Sequence, residues 1–489
     1  MLTASAGVAA AQTSCIADTS IASWSICTGA MRVRTFAFGR AVSGSPVPLA
    51  LELRECSGRG YGSIIVTKVH FSLPTSVELL DRYQAVRSLT ESLASVLTAE
   101  DQVAQSMPDT SPAKWHRAHT TWFFETFLLK ACAPDYLELD PAFAFLFNSY
   151  YVAAGPRHTR AERGMITRPG IAEVGEYRRH VDQAMAEMLT QPVTAEVAEL
   201  VELGCNHEQQ HQELLLMDIK HLFSLNPIAP AYAPGVVATK ECESTPMGWL
   251  RFDGGIVSVG HKGSEFCFDN ELPQHDVLLQ TFELADRLIT CGEWIDFIEA
   301  GGYENPTHWL SDGWHTAQKN SWEAPEYWRQ VDGQWMIFTL AGLRDINPAE
   351  PVSHLSYYEA DAYAAWAGAR LPTEFEWEHG AATADLPHAN DTPSFVHPQP
   401  AAAGSDESGL RQMFGELWQW TSSSYSPYPG FRAAPGAVGE YNGKFMVNTW
   451  VLRGGCVATS PGHVRASYRN FFYPSTRWHF SGLRLARNI

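Results

Sequence analysis

The chemistry of this sequence is concentrated in the stretch CNHEQQHQE, at residues 205–213. His207 and His211 are four residues apart, so on a helix they project from one face, where two imidazoles can bind the same metal ion. With Glu208 they match the HExxH pattern, which in zinc peptidases combines two metal ligands with a general base. The pattern leaves three hypotheses open: a zinc hydrolase, a different metal centre, or two buried histidines satisfied by hydrogen bonds.

A metal centre needs further ligands, and the nearest candidates lie upstream. No third histidine follows at a zinc-peptidase spacing, but the segment WHRAHTTWFFE contains His116 and His119. His119 shares the apolar stripe of its helix, so we expect it to point inward and His116 to lie behind the ligands or at the surface. Glu213 is a candidate hydrogen-bond partner for one ligand imidazole. A site of His119, His207 and His211 suits zinc, iron, nickel or copper.

Helical signals surround these histidines. They are a capping box of Thr75 and Glu78, an N-cap with a proline at the first helical position at Ser111-Pro112, and apolar periodicity over 171–189 and 194–222. Four helices of this length predict a bundle over residues 75–225. In such a bundle the histidines would lie on facing helices.

The rest of the chain divides by composition. Residues 1–70 are rich in Ala, Ser and Gly without a sustained period, and we interpret them as a poorly ordered extension. The proline-rich stretch NPIAPAYAPG begins a linker over 226–246. Over 247–489 short β-type runs dominate, with helices predicted over 290–300 and 356–368, so this part is predicted to be an α+β domain.

The bulk composition excludes some partners. The net charge of −19 argues against nucleic acid, because phosphate binding needs a basic surface. No apolar run approaches the roughly 20 residues of a membrane span, so we expect no membrane partner. The nine cysteines include no CxxC and are odd in number, which indicates reduced thiols in a cytoplasmic protein. Nothing in the composition determines the oligomeric state.

Longer motifs resemble known families. SPAKWHRAHTTWFFETFLL together with HEQQHQELLLMDIKH resembles the DinB-like helical domain of the ergothioneine-biosynthesis sulfoxide synthases. The second part resembles the fold of the formylglycine-generating enzymes (FGE-sulfatase, or sulfatase-modifying factor), related to C-type lectins, through stretches such as PVSHLSYYEADAYAAWAGARLPTEFEWEHGA, GELWQWTSSSY and SGLRLAR. The resemblance implies a multidomain α and α+β chain: a DinB-like four-helix bundle followed by an FGE-sulfatase-like α+β domain.

This resemblance also implies an activity. Such enzymes are non-haem Fe(II) hercynine oxygenases, which use O₂ to join the sulfur of cysteine or γ-glutamylcysteine to imidazole C2 of hercynine (Nα-trimethylhistidine), giving a sulfoxide. His119, His207 and His211 match the family's iron ligands. Gln210 matches a residue that hydrogen-bonds the substrate imidazole. The HExxH match would then be accidental, and Glu208 need not be a base.

The segment FNSYYVAAGPRHTRAERG, at 147–164, resembles a loop of the second, cysteine-using type of these enzymes. Tyr150 and Tyr151 match a tyrosine pair beside the iron, where a phenol can donate a proton or hydrogen atom. Arg160 and Arg163 match positions expected to bind the carboxylate of the thiol substrate, for which a guanidinium fork is suited.

The segment SYRNFFYPSTRWHF, at 467–480, carries the resemblance for hercynine recognition. A trimethylammonium group needs an aromatic, desolvated cage, and Asn470, Phe471 and Phe472 match the family's residues there. One departure concerns GLRLA at 482–486, which lacks the cysteine that formylglycine-generating enzymes carry in this motif. We therefore do not expect their copper chemistry, since a fold does not determine a function.

Other functions stay open from sequence. A DinB-type zinc-dependent hydrolase or thiol transferase would act without oxygen. An ovothiol-type synthase would take histidine in place of hercynine. A binding protein that used only the lectin-like part would leave the three-histidine set unexplained.

Overall fold

The computed structural model describes residues 53–55, 64–66, 75–235, 246–384, 386, 397–402, 409–434 and 439–489. The contacts between residues divide the chain into two units, Met1–Leu73 and Pro74–Ile489. In the first unit two short strands, β1 (Leu53–Glu55) and β2 (Ile64–Val66), pair antiparallel. The remainder of the predicted extension over 1–70, and much of the predicted linker over 226–246, lie outside the described residues.

Long helices form the first part of the second unit. They are α1 (Ser76–Ser95), α2 (Ala113–Phe124), α5 (Ile171–Leu189) and α6 (Ala195–Ser224), with the short α3 (Lys130–Cys132) and α4 (Phe143–Leu146) between them. The four long helices pack against one another as a bundle. A π-helical turn, Glu125–Leu129, continues α2.

Local sequence explains where most of these helices begin. Thr75 caps α1 through the reciprocal capping box expected for it, and the Thr194 side chain caps α6. Helix α2 begins at Ala113, one residue later than predicted, and the side chain of Ser111 does not cap it. The Ser111 backbone N–H instead donates to Asp218 of α6 at 2.8 Å, a tertiary contact that the local pattern does not contain.

Short helices and small sheets form the second part. Its helices are α7 (Cys291–Glu299), α8 (Ser311–Lys319), α9 (Tyr357–Trp366), α10 (Glu374–Ala381) and α11 (Glu440–Gly443). Its strands are β3 (Trp249–Phe252), β4 (Gly255–Val259), β5 (His275–Leu279), β6 (Phe282–Ala285), β7 (Trp328–Val331), β8 (Gln334–Thr339), β9 (Gly342–Asp345), β10 (Trp418–Ser424), β11 (Trp450–Arg453), β12 (Asn470–Phe472), β13 (Ser481–Gly482) and β14 (Ala486–Asn488). Helices α7 and α9 confirm the two helices predicted here.

These strands form sheets in the orders β12-β11-β10-β13, β14-β6-β3 and β7-β8-β9, and β4 pairs with β5. In the first of these sheets β12 is an edge strand, antiparallel to β11. An edge strand has one side without a strand partner in its sheet, so backbone N–H and C=O groups on that side are open to other contacts. The mixture of short helices and antiparallel strands is α+β, as expected.

Helix α6 belongs to the cores of both parts. Its first half packs in the bundle core through Val201 and Cys205. Its second half shares a core with the second part, in which Leu216 and Ile219 cluster with Trp420. The histidines lie between these two stretches of α6, so their surroundings come from both parts of the chain.

Two general predictions can be compared with the described residues. None of their helices has the length and apolar character that crossing a membrane requires. Their cysteines are free thiols: Cys132, Cys205, Cys267, Cys291 and Cys456.

Candidate metal centre

Three histidines from two helices meet inside the bundle. Helix α2 contributes His119, and α6 contributes His207 and His211 from successive turns. One ring nitrogen of each lies within 4.8 Å of the other two, close enough for all three to bind one ion. His119 stacks between Trp115 and Trp122, with ring centroids 4.6 and 5.5 Å away, and these contacts hold its plane.

The three imidazoles are neutral at neutral pH. Burial lowers the pKa of His119 and His211 well below the usual 6.5, and it lowers the pKa of His207 to about 4. His119 Nδ1 lies 2.6 Å from the carbonyl oxygen of Phe147. Because a carbonyl only accepts, Nδ1 carries the hydrogen and Nε2 keeps a lone pair.

The donor set fits a metal ion. His207 Nδ1 is buried and has no hydrogen-bond partner in the part of the chain that the structure describes. A buried nitrogen without a partner is costly, and here it belongs to one of three clustered neutral imidazoles. Such imidazoles are ligands for iron, zinc, nickel or copper, so the site alone does not select among these metals.

Further side chains orient His211. His116 Nδ1 lies 2.9 Å from His211 Nδ1, and His116 Nε2 lies 3.1 Å from Asp218 Oδ2. Asp218 is held in turn by the backbone N–H of Ser111. His116 is only 2% exposed, so of the two positions expected for it, it occupies the one behind the ligands and not the surface. A carboxylate behind an imidazole fixes the ring that it contacts.

Glu208, the candidate base of the HExxH pattern, is bound elsewhere. It is fully buried and accepts hydrogen bonds from Arg87 at 2.9 Å, Arg178 at 2.9 Å and Thr90 at 2.7 Å. Burial favours the neutral acid, but the Arg87 and Arg178 guanidinium groups outweigh it and lower the pKa of Glu208 to about 2. A carboxylate bound by two buried cations is unsuited to be a base, which argues against the zinc peptidase hypothesis.

The histidines line a cavity of about 730 Å³. The same cavity is lined by all the other residues predicted to act on substrate: Tyr150, Tyr151, Arg160, Arg163, Gln210, Asn470, Phe471 and Phe472. The tyrosines and arginines reach it from the segment between α4 and α5, Gln210 from α6, and the last three from strand β12. The fold thus brings together three separate segments of the sequence.

The two arginines have different surroundings. Arg163 is buried and donates to the hydroxyl oxygens of Ser111 at 2.8 Å and Ser149 at 3.1 Å. These two hydroxyls are neutral, and burial lowers the pKa of Arg163 to about 9. The carboxylate of a bound ligand would compensate this buried charge. Arg160 is exposed and donates to Tyr150 Oη at 2.6 Å.

Strand β12 supplies an aromatic wall. Phe471 stacks on Tyr425 with ring centroids 4.2 Å apart and planes 8° apart. Phe472 stacks on the buried ring of His479, also at 4.2 Å. Each phenylalanine is therefore supported by a second ring, and its orientation does not depend on a ligand. Fixed aromatic faces in a cavity are what a quaternary ammonium group binds.

Two contacts differ from expectation or were missed. Glu213 does not contact an imidazole, so the role expected for it is wrong: its carboxylate accepts hydrogen bonds from Trp418 and Thr459, each at 2.6 Å. Tyr468, which sequence reasoning did not single out, accepts a hydrogen bond from Gln210 Nε2 at 2.8 Å. The signal available in the sequence was its position two residues before Asn470.

The fold and the site define a class of protein: a DinB-type bundle with three clustered histidines that could hold a metal ion, joined to a sulfatase-modifying-factor-type domain. The model of the DinB superfamily matches residues 82–215. The model of the sulfatase-modifying factor enzyme 1-like domain matches residues 235–391 and 382–489. These matches confirm the predicted fold class.

Curated relatives identify the family. The hercynine oxygenase of Mycobacterium tuberculosis is 32% identical over 403 residues, which are 78% of this chain and 92% of that protein. The hercynine oxygenase of Mycolicibacterium thermoresistibile is 31% identical over 452 residues, 86% of this chain and 96% of that protein. Ergothioneine biosynthesis protein 1 of Schizosaccharomyces pombe is 28% identical over 234 residues, 46% of this chain and 28% of that protein. The chain belongs to the hercynine oxygenase family.

Proposed function

We propose that this protein is a non-haem Fe(II) sulfoxide synthase, which joins the sulfur of cysteine to imidazole C2 of hercynine with O₂ as oxidant. One observation carries the proposal: a three-imidazole site, a buried arginine and a fixed aromatic wall line one cavity. The reaction balances. Hercynine loses the C2 hydrogen and cysteine the thiol hydrogen, one oxygen atom enters the sulfoxide, and the other leaves as water.

His119, His207 and His211 would hold the iron. Bound there, Fe(II) would supply the redox chemistry that protein side chains lack, and it would bring thiolate and O₂ together. The protein's own contribution is to keep the three imidazoles neutral by burial and to fix their rings. His119 is fixed by Phe147 O and the stacked tryptophans, and His211 by His116.

Hercynine would bind along β12. Its trimethylammonium group would lie against Phe471 and Phe472, a contact that gains up to about 2 kcal/mol when water is excluded. Asn470 lies next to these two phenylalanines in β12. Gln210 lines the same cavity from helix α6, and its side chain would hydrogen-bond the imidazole of hercynine. This arrangement would orient C2 toward the metal site.

The thiol substrate would bind through its carboxylate. Arg163 is a buried cation whose partners are two serine hydroxyls and the face of the Trp115 ring, so an anionic ligand would gain a charge-assisted hydrogen bond and would supply a full opposite charge. Arg160 lies at the exposed side of the same cavity. γ-Glutamylcysteine carries the same cysteinyl carboxylate and is the alternative thiol donor, which a direct comparison of the two substrates decides.

Tyr150 and Tyr151 are the candidate proton or hydrogen donors. Tyr151 is buried against Trp122 and Phe127, and Tyr150 is oriented by the hydrogen bond from Arg160. Both line the cavity that would hold the two substrates. A phenol positioned there favours C–S bond formation over simple oxidation of the thiol. The cytoplasmic location stays a prediction from the cysteines alone.

The experiment is an aerobic assay of Fe(II)-reconstituted protein that follows oxygen uptake and product mass together. We expect a product with the mass of hercynine plus cysteine plus one oxygen atom minus two hydrogens. His207→Ala removes the product, whereas His180→Ala, a histidine of α5 outside the cavity lining, serves as the matched control.

Other outcomes point to other functions. Turnover of histidine in preference to hercynine would identify an ovothiol-type synthase. Oxygen uptake that yields only oxidised cysteine would indicate a thiol oxidase. If the protein consumes no oxygen and is purified with tightly bound zinc, the zinc hydrolase hypothesis would be supported again.

A further inference from the structure

A chain of hydrogen bonds runs from the backbone of α6, through the second part of the protein, and back to Gln210. Asn206 Nδ2 donates to the carbonyl oxygen of Glu202 at 2.9 Å. Asn206 Oδ1 lies 3.0 Å from His463 Nδ1, and His463 Nε2 lies 3.1 Å from Tyr468 Oη. Tyr468 Oη lies 2.8 Å from Gln210 Nε2.

The direction of every bond in this chain follows from its first member. A main-chain carbonyl can only accept, so the Asn206 amide turns its NH₂ group toward Glu202 and its oxygen toward His463. That oxygen needs a donor, so His463 Nδ1 carries the hydrogen. A neutral imidazole then has a lone pair on Nε2, which accepts from the Tyr468 hydroxyl.

The last bond determines the orientation of an amide in the cavity. Because the Tyr468 hydroxyl hydrogen is directed at His463, its oxygen accepts from Gln210, and the group facing it must be the NH₂ group. Gln210 lines the cavity, and its other end is Oε1. The hydrogen bond to Tyr468 thus commits one of the two amide hydrogens and leaves the acceptor, Oε1, at the end of the side chain that is available to a ligand.

The surroundings prevent this direction from reversing. Asn206 is 2% exposed, His463 1% and Tyr468 5%, so water does not compete for their hydrogen bonds. Burial lowers the pKa of His463 well below 6.5, so the imidazole stays neutral at neutral pH. Tyr468 packs edge-on against Trp418, with ring centroids 5.2 Å apart, which holds its hydroxyl in place.

We propose that Asn206, His463 and Tyr468 are positioning residues that fix the Gln210 amide with Oε1 toward the substrate, so that the site selects a ring with an N–H at this position. The inference rests on the proposed function, in which this ring is the imidazole of hercynine. A neutral imidazole has one N–H and one bare nitrogen. A hydrogen bond from the ring N–H to Gln210 Oε1 therefore determines both the tautomer of the bound imidazole and the orientation of its ring.

Specificity follows from the same bond. If a ring directed a lone pair at Gln210 Oε1, two hydrogen-bond acceptors would face each other. The loss of binding free energy would then be greater than that of one missing hydrogen bond. An analogue of hercynine with a thiazole in place of the imidazole has sulfur where the N–H was. The protein should bind this analogue at least about tenfold more weakly than hercynine.

The test is a double-mutant cycle on hercynine binding, measured by anaerobic calorimetry on the Fe(II)-reconstituted full chain. Tyr468→Phe should weaken hercynine binding about three- to tenfold, the range for loss of one neutral hydrogen bond. In the Gln210→Ala background the same change should have less than about a twofold effect, because Tyr468 acts through Gln210. His463→Leu, which removes the acceptor of the Tyr468 hydroxyl, should show the same dependence.

Steady-state kinetics supply a second measurement. Tyr468→Phe should raise the KM for hercynine and leave the KM for cysteine within about twofold, since the Gln210 contact concerns only the imidazole. Tyr232→Phe is the matched control: its hydroxyl donates to Leu93 O at 2.8 Å, outside the cavity lining, and its loss should change neither KM.

The outcomes separate this inference from the proposed function. If the protein turns over hercynine, but Tyr468→Phe weakens hercynine binding equally in the unmodified protein and in Gln210→Ala, the positioning role is overturned and the proposed synthase function stands. Equal binding of hercynine and its thiazole analogue would overturn the orientation of the amide. Failure of the unmodified protein to bind hercynine would refute the proposed function first.

Discussion

Replacing Glu208 with glutamine separates the two roles that the HExxH pattern allows for this residue. A general base loses its proton-accepting oxygen in this change, and activity disappears. A structural anion loses only its charge, and stability falls while the chemistry persists. The contacts of Glu208 with Arg87, Arg178 and Thr90 predict the second result.

The expected loss of stability can be worked out from these contacts. The pKa of Glu208 is about 2, against 4.5 for a free glutamate, and this difference corresponds to about 3 kcal/mol of stabilisation of the folded state at neutral pH. Breaking a buried ion pair costs about 3–5 kcal/mol. For Glu208→Gln we expect a loss at the low end of this range, because in that variant Arg87 still has Asp182 as an ion-pair partner and Arg178 still has Glu91.

Chemical denaturation of the metal-reconstituted protein measures this difference. Folding lowers the pKa of Glu208, so the stabilisation from its charge is fully present above pH 4.5 and is lost as pH falls toward 2. The difference in the free energy of unfolding between the unmodified protein and Glu208→Gln should therefore disappear over that pH range. Glu202→Gln is the matched control: it is the same change on the same helix, but its pair with Arg82 is partly exposed and should contribute less than about 1 kcal/mol.

Activity decides the chemical question. Well below its unfolding temperature, and with the same iron content as the unmodified protein, Glu208→Gln should keep kcat within about threefold, corresponding to less than 1 kcal/mol at the transition state. A folded, metal-loaded Glu208→Gln protein whose kcat falls more than about a hundredfold would refute the reasoning and restore Glu208 as a base.

Three further predictions concern the cavity and the core. Phe472→Leu should raise the KM for hercynine roughly tenfold, as loss of a desolvated cation–π contact requires, with the KM for cysteine unchanged in the same assay. Tyr150→Phe and Tyr151→Phe should differ in the products that they form, as measured by mass spectrometry. The variant that lacks the hydrogen donor should form oxidised cysteine in place of sulfoxide, and the other variant should keep the product ratio of the unmodified protein. His479 is buried with a pKa of about 3, so between pH 6.5 and 3 its side chain binds fewer protons in the folded than in the unfolded chain, and its own contribution to the free energy of unfolding should fall by about 1 kcal/mol per pH unit as acid is added, beside that of other buried histidines. Denaturation of His479→Phe should show a shallower slope, and an unchanged slope would contradict this assignment.

Local patterns in the sequence account for much of the bundle. Capping at Thr75 and Thr194 and the apolar periodicity of the helices depend on residues three or four positions apart, so they can be seen without a fold. The spacing of His207 and His211 placed both on one face for the same reason. The aromatic pair of β12 was found through resemblance, because short runs of aromatics do not by themselves separate a core from a cavity.

The partners of the buried polar groups could not be predicted in this way. His116 and His119 are three residues apart and both buried, because α2 is surrounded on all sides, and only the packed helices decide that one meets Phe147 and the other Asp218. The surface position weighed for His116 and the imidazole contact expected for Glu213 were wrong on these grounds.

The sequence by itself determined which side chains share a helix face and therefore which histidines can bind one metal. The tertiary structure decided where each face points: Glu208 toward two arginines, Gln210 toward Tyr468, and Arg163 toward neutral serines. The physical reason is distance along the chain. Helical spacing is set by bonds between near neighbours, whereas the charge and hydrogen-bond partners of a buried group come from segments that only the packing of the whole fold brings together.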